Sequence, residues 1–164
     1  MAGLWAYKEH TLHTDRGVIR RVRHTETGQV SSLIQNTLLI SNSLDYDIRV
    51  ILNLSRQYSH ENVREMAARR EMYVHLSGSA IDGTVSLKGN TIYAFFVAPD
   101  KQGSGIGTRL LAYVEDVAER QGRHELTVDA SITAADFYAT HGYRIVRREW
   151  NGSYGTVITM KKSL

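Results

Sequence analysis

Residues 95–111 read Phe95-Phe-Val-Ala-Pro-Asp-Lys-Gln-Gly-Ser-Gly-Ile-Gly-Thr-Arg-Leu-Leu111. An apolar β-type run ends at Pro99, and a glycine-rich loop, Gln102-Gly-Ser-Gly-Ile-Gly107, leads into a segment with helical periodicity. Alternate glycines remove side chains where a backbone must come close to a ligand. The first N–H groups of a helix have no intrahelical partner and lie at the positive end of its dipole, so such a turn suits a pyrophosphate. The loop is not a P-loop, because no Gly-Lys-Ser/Thr closes it. It is not a dinucleotide fingerprint either, since its third glycine comes one residue too early. A tight strand-to-helix turn without a ligand is the plain alternative for the loop by itself.

Outward from the loop, the chain predicts a single domain (17–164) preceded by an arm (1–16) whose Leu4, Trp5 and Tyr7 could pack on the body. Val18 to Arg23 reads as a strand. Thr25 or Thr27 resembles an N-cap for a helix carrying Val30, Leu33, Ile34 and Leu38, with further helices over Asp47 to Tyr58 and Glu61 to Arg70. Strands follow from Met72, from Gly83 to Leu87 and from Thr91 to Ala98, the last two joined across Lys88-Gly89-Asn90. After the loop, Leu110, Leu111, Val114 and Val117 recur at helical spacing up to Gly122. Glu125 to Asp129 reads as a strand and Thr133 to Thr140 as a short helix. Tyr143 to Trp150 and Thr156 to Lys161 form a closing hairpin around Asn151-Gly152-Ser153. The expected class is α+β, a mixed α/β domain.

Composition narrows the chemistry. With 164 residues and 42% hydrophobic content, a packed core is within reach. The absence of cysteine excludes disulfides, a thiol nucleophile and Cys-based zinc sites. His10 and His13 lie in the arm without companion ligands, so no metal is expected. Net charge is +3, with Lys and Arg scattered in short pairs, which reads as a solvated surface and not as a nucleic-acid patch. The first residues carry Lys8, Glu9 and Asp15, unlike a signal peptide, and the longest apolar stretch cannot span a bilayer. The expectation is a cytoplasmic protein with no membrane or nucleic-acid partner.

Gln102-x-x-Gly105-x-Gly107 after an apolar strand resembles the Gln/Arg-x-x-Gly-x-Gly/Ala signature of the GNAT acetyltransferase superfamily. Downstream, Ala134-Ala-Asp-Phe137-Tyr138 and His141-Gly142-Tyr143 resemble that family's Ala-x-x-Phe-Tyr…Gly-Phe/Tyr segment, so the likeness runs from about Gly83 to Trp150. The resemblance implies a GNAT-like, mostly antiparallel twisted sheet flanked by helices. It also implies an acetyl-CoA-dependent N-acetyltransferase acting on a primary amine of a small molecule or protein by direct attack. N–H groups of Gly103, Ser104, Gly105, Ile106, Gly107 and Thr108 would hold the pyrophosphate, Phe96 and Val97 would pair with pantetheine, and Tyr138 would protonate the leaving thiolate. Ser131 stands where many members have a cofactor-contacting asparagine. Thr91 stands where the histone-modifying branch has a basic glutamate, which leaves the base open among Tyr93, His75, Glu61 and Glu65. The alternative is a non-catalytic acyl-CoA-binding or regulatory module. A homodimer could form through the arm or the closing hairpin.

Overall fold

The computed structural model describes residues 17–164; the arm, with Leu4, Trp5 and Tyr7, lies outside the described residues. Seven strands form one sheet: β1 (Val18–Arg21), β2 (Glu71–Ser77), β3 (Ala80–Lys88), β4 (Thr91–Val97), β5 (Glu125–Ala130), β6 (Arg144–Asn151) and β7 (Gly155–Ser163). Their spatial order is β1-β2-β3-β4-β5-β7-β6, and every neighbouring pair is antiparallel except β4 with β5. The parallel pair requires a crossover, supplied by helix α4 (Ile106–Arg120).

Helices cover both faces. On one side α4 and α5 (Ile132–Thr140) pack on Tyr73, Val85, Leu87, Ile92, Leu126, Val128, Ile158 and Met160. On the other, α1 (Thr27–Ile40), α2 (Ile48–Gln57) and α3 (His60–Arg69) close over Met72, Val74, Leu76 and Ala94. Period-two alternation explains the split: Tyr73 faces the first core while Met72 and Val74 face the second. Helix α1 buries Val30, Leu33, Ile34, Thr37 and Leu38, the stripe that its 3.6-residue period places on one side.

Three helices begin on side-chain N-caps. Asp47, Ser59 and Ser131 each accept a backbone N–H at the start of α2, α3 and α5. Neither Thr25 nor Thr27 caps α1. A turn of 3₁₀ helix, His24–Glu26, precedes it, and the Thr27 hydroxyl donates to the His24 carbonyl instead (3.0 Å). The Glu26 carboxylate organises this turn, accepting from the Arg23 N–H (2.9 Å) and from both ends of the Arg20 guanidinium (2.7 and 2.9 Å). β1 ends at Arg21 for the same reason: the chain turns there, although the Val22 N–H still donates to the Met72 carbonyl (3.0 Å).

Candidate functional site

β4 and β5 pair over two positions only, Thr91 with Thr127 and Ile92 with Val128. Beyond them β4 is interrupted. Its register against β3 slips between Thr84 and Ser86, and Ala94 takes φ +48°, a left-handed conformation uncommon for a residue with a Cβ. The bulge turns β4 away from β5 and opens a wedge in the middle of the sheet. A cleft of about 580 Å³ fills it, a volume in the range of small-molecule sites.

One end of the cleft is the glycine loop. Gly105, the N-cap of α4, sits at φ +88° and Gly103 at φ +74°, backbone states that a side chain would strain. Gly107 keeps a close approach clear: a Cβ there would meet the Phe137 ring at 3.3 Å, tighter than an ordinary contact. Gln102, Gly103, Gly105, Gly107 and Thr108 line the cleft. Ser104 does not; its hydroxyl donates to the Lys101 carbonyl and closes the loop on itself. Ile106 turns its side chain into the core, 7% exposed, and contributes only backbone at the loop. Gln102 acts as a brace. Its amide nitrogen donates to the Val97 carbonyl and to the Ser41 hydroxyl, both at 3.1 Å, fixing loop, strand β4 and the end of α1 together.

The middle of the wedge has β4 on one wall and the β5–α5 junction on the other. Phe95 faces the α4/α5 core and packs on Phe137 and Tyr138, with ring centroids 5.5 and 5.8 Å away. Phe96 faces the other core and meets Tyr58 edge-on at 5.4 Å. Ser131 lines the wedge, and its hydroxyl also accepts the Ala134 N–H (3.2 Å) as the cap of α5. Tyr138 lines the cleft although it is only 2% exposed, and burial pushes its hydroxyl well above the ordinary tyrosine range.

Among the residues considered as a base, only Tyr93 lines the cleft; the Arg70 guanidinium lies over its ring at 4.3 Å. Thr91, Glu61 and Glu65 do not line it. His75 does not reach it either. It is buried on β2, its Nδ1 bound to Asp82 and its Nε2 facing the Arg109 guanidinium at 2.9 Å. The β4 side of His75 is covered by β3, so alternation along β2 commits it to a polar pocket under α4. Sequence reasoning did not single out several cleft residues, among them Tyr58, which sits at the end of α2, and Asp129, on β5 next to the wedge. Asp129 was readable as a strand end, but nothing in its spacing announced that β4 would part from β5 there. Among the described residues no group of three or more His, Asp or Glu side chains could hold a metal ion, and no helix is long and apolar enough to cross a membrane.

The family model for the acetyltransferase (GNAT) domain matches residues 48–164. No curated protein matches the chain. Among solved structures, a GCN5-related N-acetyltransferase from Rhodopseudomonas palustris superposes with TM-score 0.85 at 24% identity, covering 90% of this chain and 96% of that one. The PaiA N-acetyltransferase from Thermoplasma acidophilum, solved with coenzyme A, gives TM-score 0.75 at 17% identity over 90% and 98%. YncA from Salmonella typhimurium, a protein solved with acetyl-CoA, gives 0.66 at 17% over 89% and 92%.

Proposed function

This chain belongs to the GNAT acetyltransferase family and is an acyltransferase; from that premise we propose that it moves an acetyl group from acetyl-CoA to a primary amine of a small molecule or protein, by direct attack. The observation that carries this reading is the wedge itself, which runs from a glycine loop at a helix N-terminus to a buried tyrosine. Two of the solved relatives hold coenzyme A or acetyl-CoA, which supports the same occupant here. The residues fit it. The loop offers N–H groups of Gly103, Ser104, Gly105, Ile106, Gly107 and Thr108 for a pyrophosphate. Beyond Ile92 the edge of β4 facing β5 has no strand partner among the described residues, so Phe96 and Val97 can pair with an amide-bearing arm as a strand would.

When bound, acetyl-CoA supplies an activated thioester. The rest is done by the chain. A backbone N–H near Val97 polarises the acyl carbonyl, and Gln102 holds that stretch still through the Val97 carbonyl. Tyr138 protonates the leaving sulfur. The hydroxyl is protonated at neutral pH, as a proton donor must be; burial raises its pKa and weakens it as an acid, so its contribution rests on its place in the wall of the cleft. Positioning provides much of the remaining acceleration. The experiment is calorimetric titration with acetyl-CoA and CoA, with NADH and ATP as comparators. Selective binding of acetyl-CoA and CoA is expected. Preference for the other nucleotides, or no binding, overturns the assignment.

A further inference from the structure

Besides the glycine loop, the cleft is lined by Leu38, Leu54, Tyr58, Ile92 and Tyr93 together with Asp129. Among the described residues, Asp129 is the one charged side chain lining the whole cleft. Its place follows from topology. Ile92 and Val128 are the last paired residues of β4 and β5, so the next positions, Tyr93 and Asp129, project from one face where the strands begin to part. Thr159, its register partner on β7, donates a hydroxyl to one carboxylate oxygen at 2.7 Å, which holds the group in place and leaves the other oxygen to the cleft. Among the described residues Asp129 makes no ion pair, although Lys161, two residues along β7 from Thr159, is paired with Glu125 at 2.8 Å. A carboxylate anchored by Thr159, without a cation among the described residues and in a cleft also lined by two tyrosine rings and aliphatic side chains, is the complement of an ammonium on an apolar body.

We propose that Asp129 binds the acceptor's ammonium group and takes its first proton, and that the acceptor is a primary amine carried on a short aromatic or apolar arm. This rests on the acetyltransferase reading above. The step balances: the ammonium passes one proton to the Asp129 carboxylate, the freed lone pair forms the C–N bond, and the C–S bond breaks. The sulfur takes the proton of the Tyr138 hydroxyl, and the second proton of the nitrogen returns to that oxygen. The products are an amide, a thiol and one proton on the carboxylate. Asp129 thereby fills the place that Thr91, Glu61, Glu65 and His75 do not.

The test uses CoA-saturated protein and two probes of equal shape, phenethylammonium and neutral 2-phenylethanol, titrated calorimetrically. The wild type should bind the ammonium about tenfold more tightly than the alcohol. That preference should vanish in Asp129→Asn, with CoA affinity unchanged as the mark of an intact fold, and be largely kept in Asp129→Glu. Equal binding of the two probes, binding of neither, or a preference that survives Asp129→Asn overturns this inference. Failure of the wild type to bind CoA at all would instead overturn the function on which it rests.

Discussion

Tyr138→Phe removes one oxygen from a side chain that packs its ring among Phe95, Phe137 and Tyr143, so the cavity lining keeps its shape. A general acid contributes about 100-fold or more to a rate. The variant is therefore expected to lower kcat by about that factor while leaving acetyl-CoA affinity close to wild type, measured by thiol release and by titration. Equal turnover in the two proteins would end the acid role. At Gly105 the constraint is different, since nothing lies within 4 Å of an added Cβ and the protein interior would not be crowded. What a side chain meets there is the φ of +88°, costing roughly 1–2 kcal/mol, and the space where a phosphate would lie against the N–H groups. Gly105→Leu should abolish acetyl-CoA binding while the protein still unfolds cooperatively on heating. Undiminished affinity would remove the loop from the cofactor site.

At the scale of elements, the periodic ones were legible and the irregular ones were not. Helices α2 to α5 were read as helical stretches, with Gly122 marking the end of α4; their N-caps Asp47, Ser59 and Ser131 were not singled out as caps, although capping is local chemistry that the residue type itself announces. The loop was readable from its glycines. The bulge at Ala94 was not: the run Thr91 to Val97 has no glycine to mark it, and the left-handed state is imposed by pairing with β3 on one side and by α1 on the other. Asp129 and Tyr58 stayed hidden with it, since their meeting in the cleft depends on that bulge. The start of α1 was misplaced because a 3₁₀ turn, closed by the Glu26 carboxylate on the Arg23 N–H and tied to Arg20, comes before it. The Arg20–Glu26 pair makes stability depend on pH. Arg20's hydrogen bonds, aided by the Arg23 N–H, lower the Glu26 pKa from 4.5 to about 2. The folded-state value is depressed, so the stabilisation is complete above the unfolded value and is lost as pH falls from about 4.5 toward 2. The stability gap between wild type and Glu26→Gln, from urea titrations, should shrink across that window. A gap independent of pH would show that the pair contributes through packing alone.

Over the whole molecule, two cores sit back to back across a sheet that the wedge has weakened at its centre, and the problem is to keep α4 seated while its first turn serves a ligand. The polar cluster beneath that turn meets the need. Arg109, in the first turn of α4, donates to the Gly17 carbonyl before β1 (3.1 Å) and faces His75 Nε2 on β2. Arginine has no acceptor, so Nε2 must present its lone pair, and the His75 proton lies on Nδ1, directed at the Asp82 carboxylate. Asp82 also accepts the Ser77 hydroxyl, and its carbonyl accepts the Ala98 N–H (2.8 Å) just ahead of the loop. The Asp82 carboxylate thus ties β3 to β2 and, through an imidazole, to the first turn of α4, while its backbone carbonyl holds the entry to the loop. Asp82 and His75 are 4% and 1% exposed, so losing the charge strands the guanidinium's partner in a dry site. Removing one member of a buried charged network costs roughly 3 kcal/mol. Asp82→Asn is nearly isosteric and should lower stability by about that amount, read from the urea midpoint at neutral pH. The double variant Asp82→Asn with Arg109→Met should recover part of the loss, because it removes the uncompensated cation as well. Single and double variants with the wild-type midpoint would show that α4 is held by its apolar face alone.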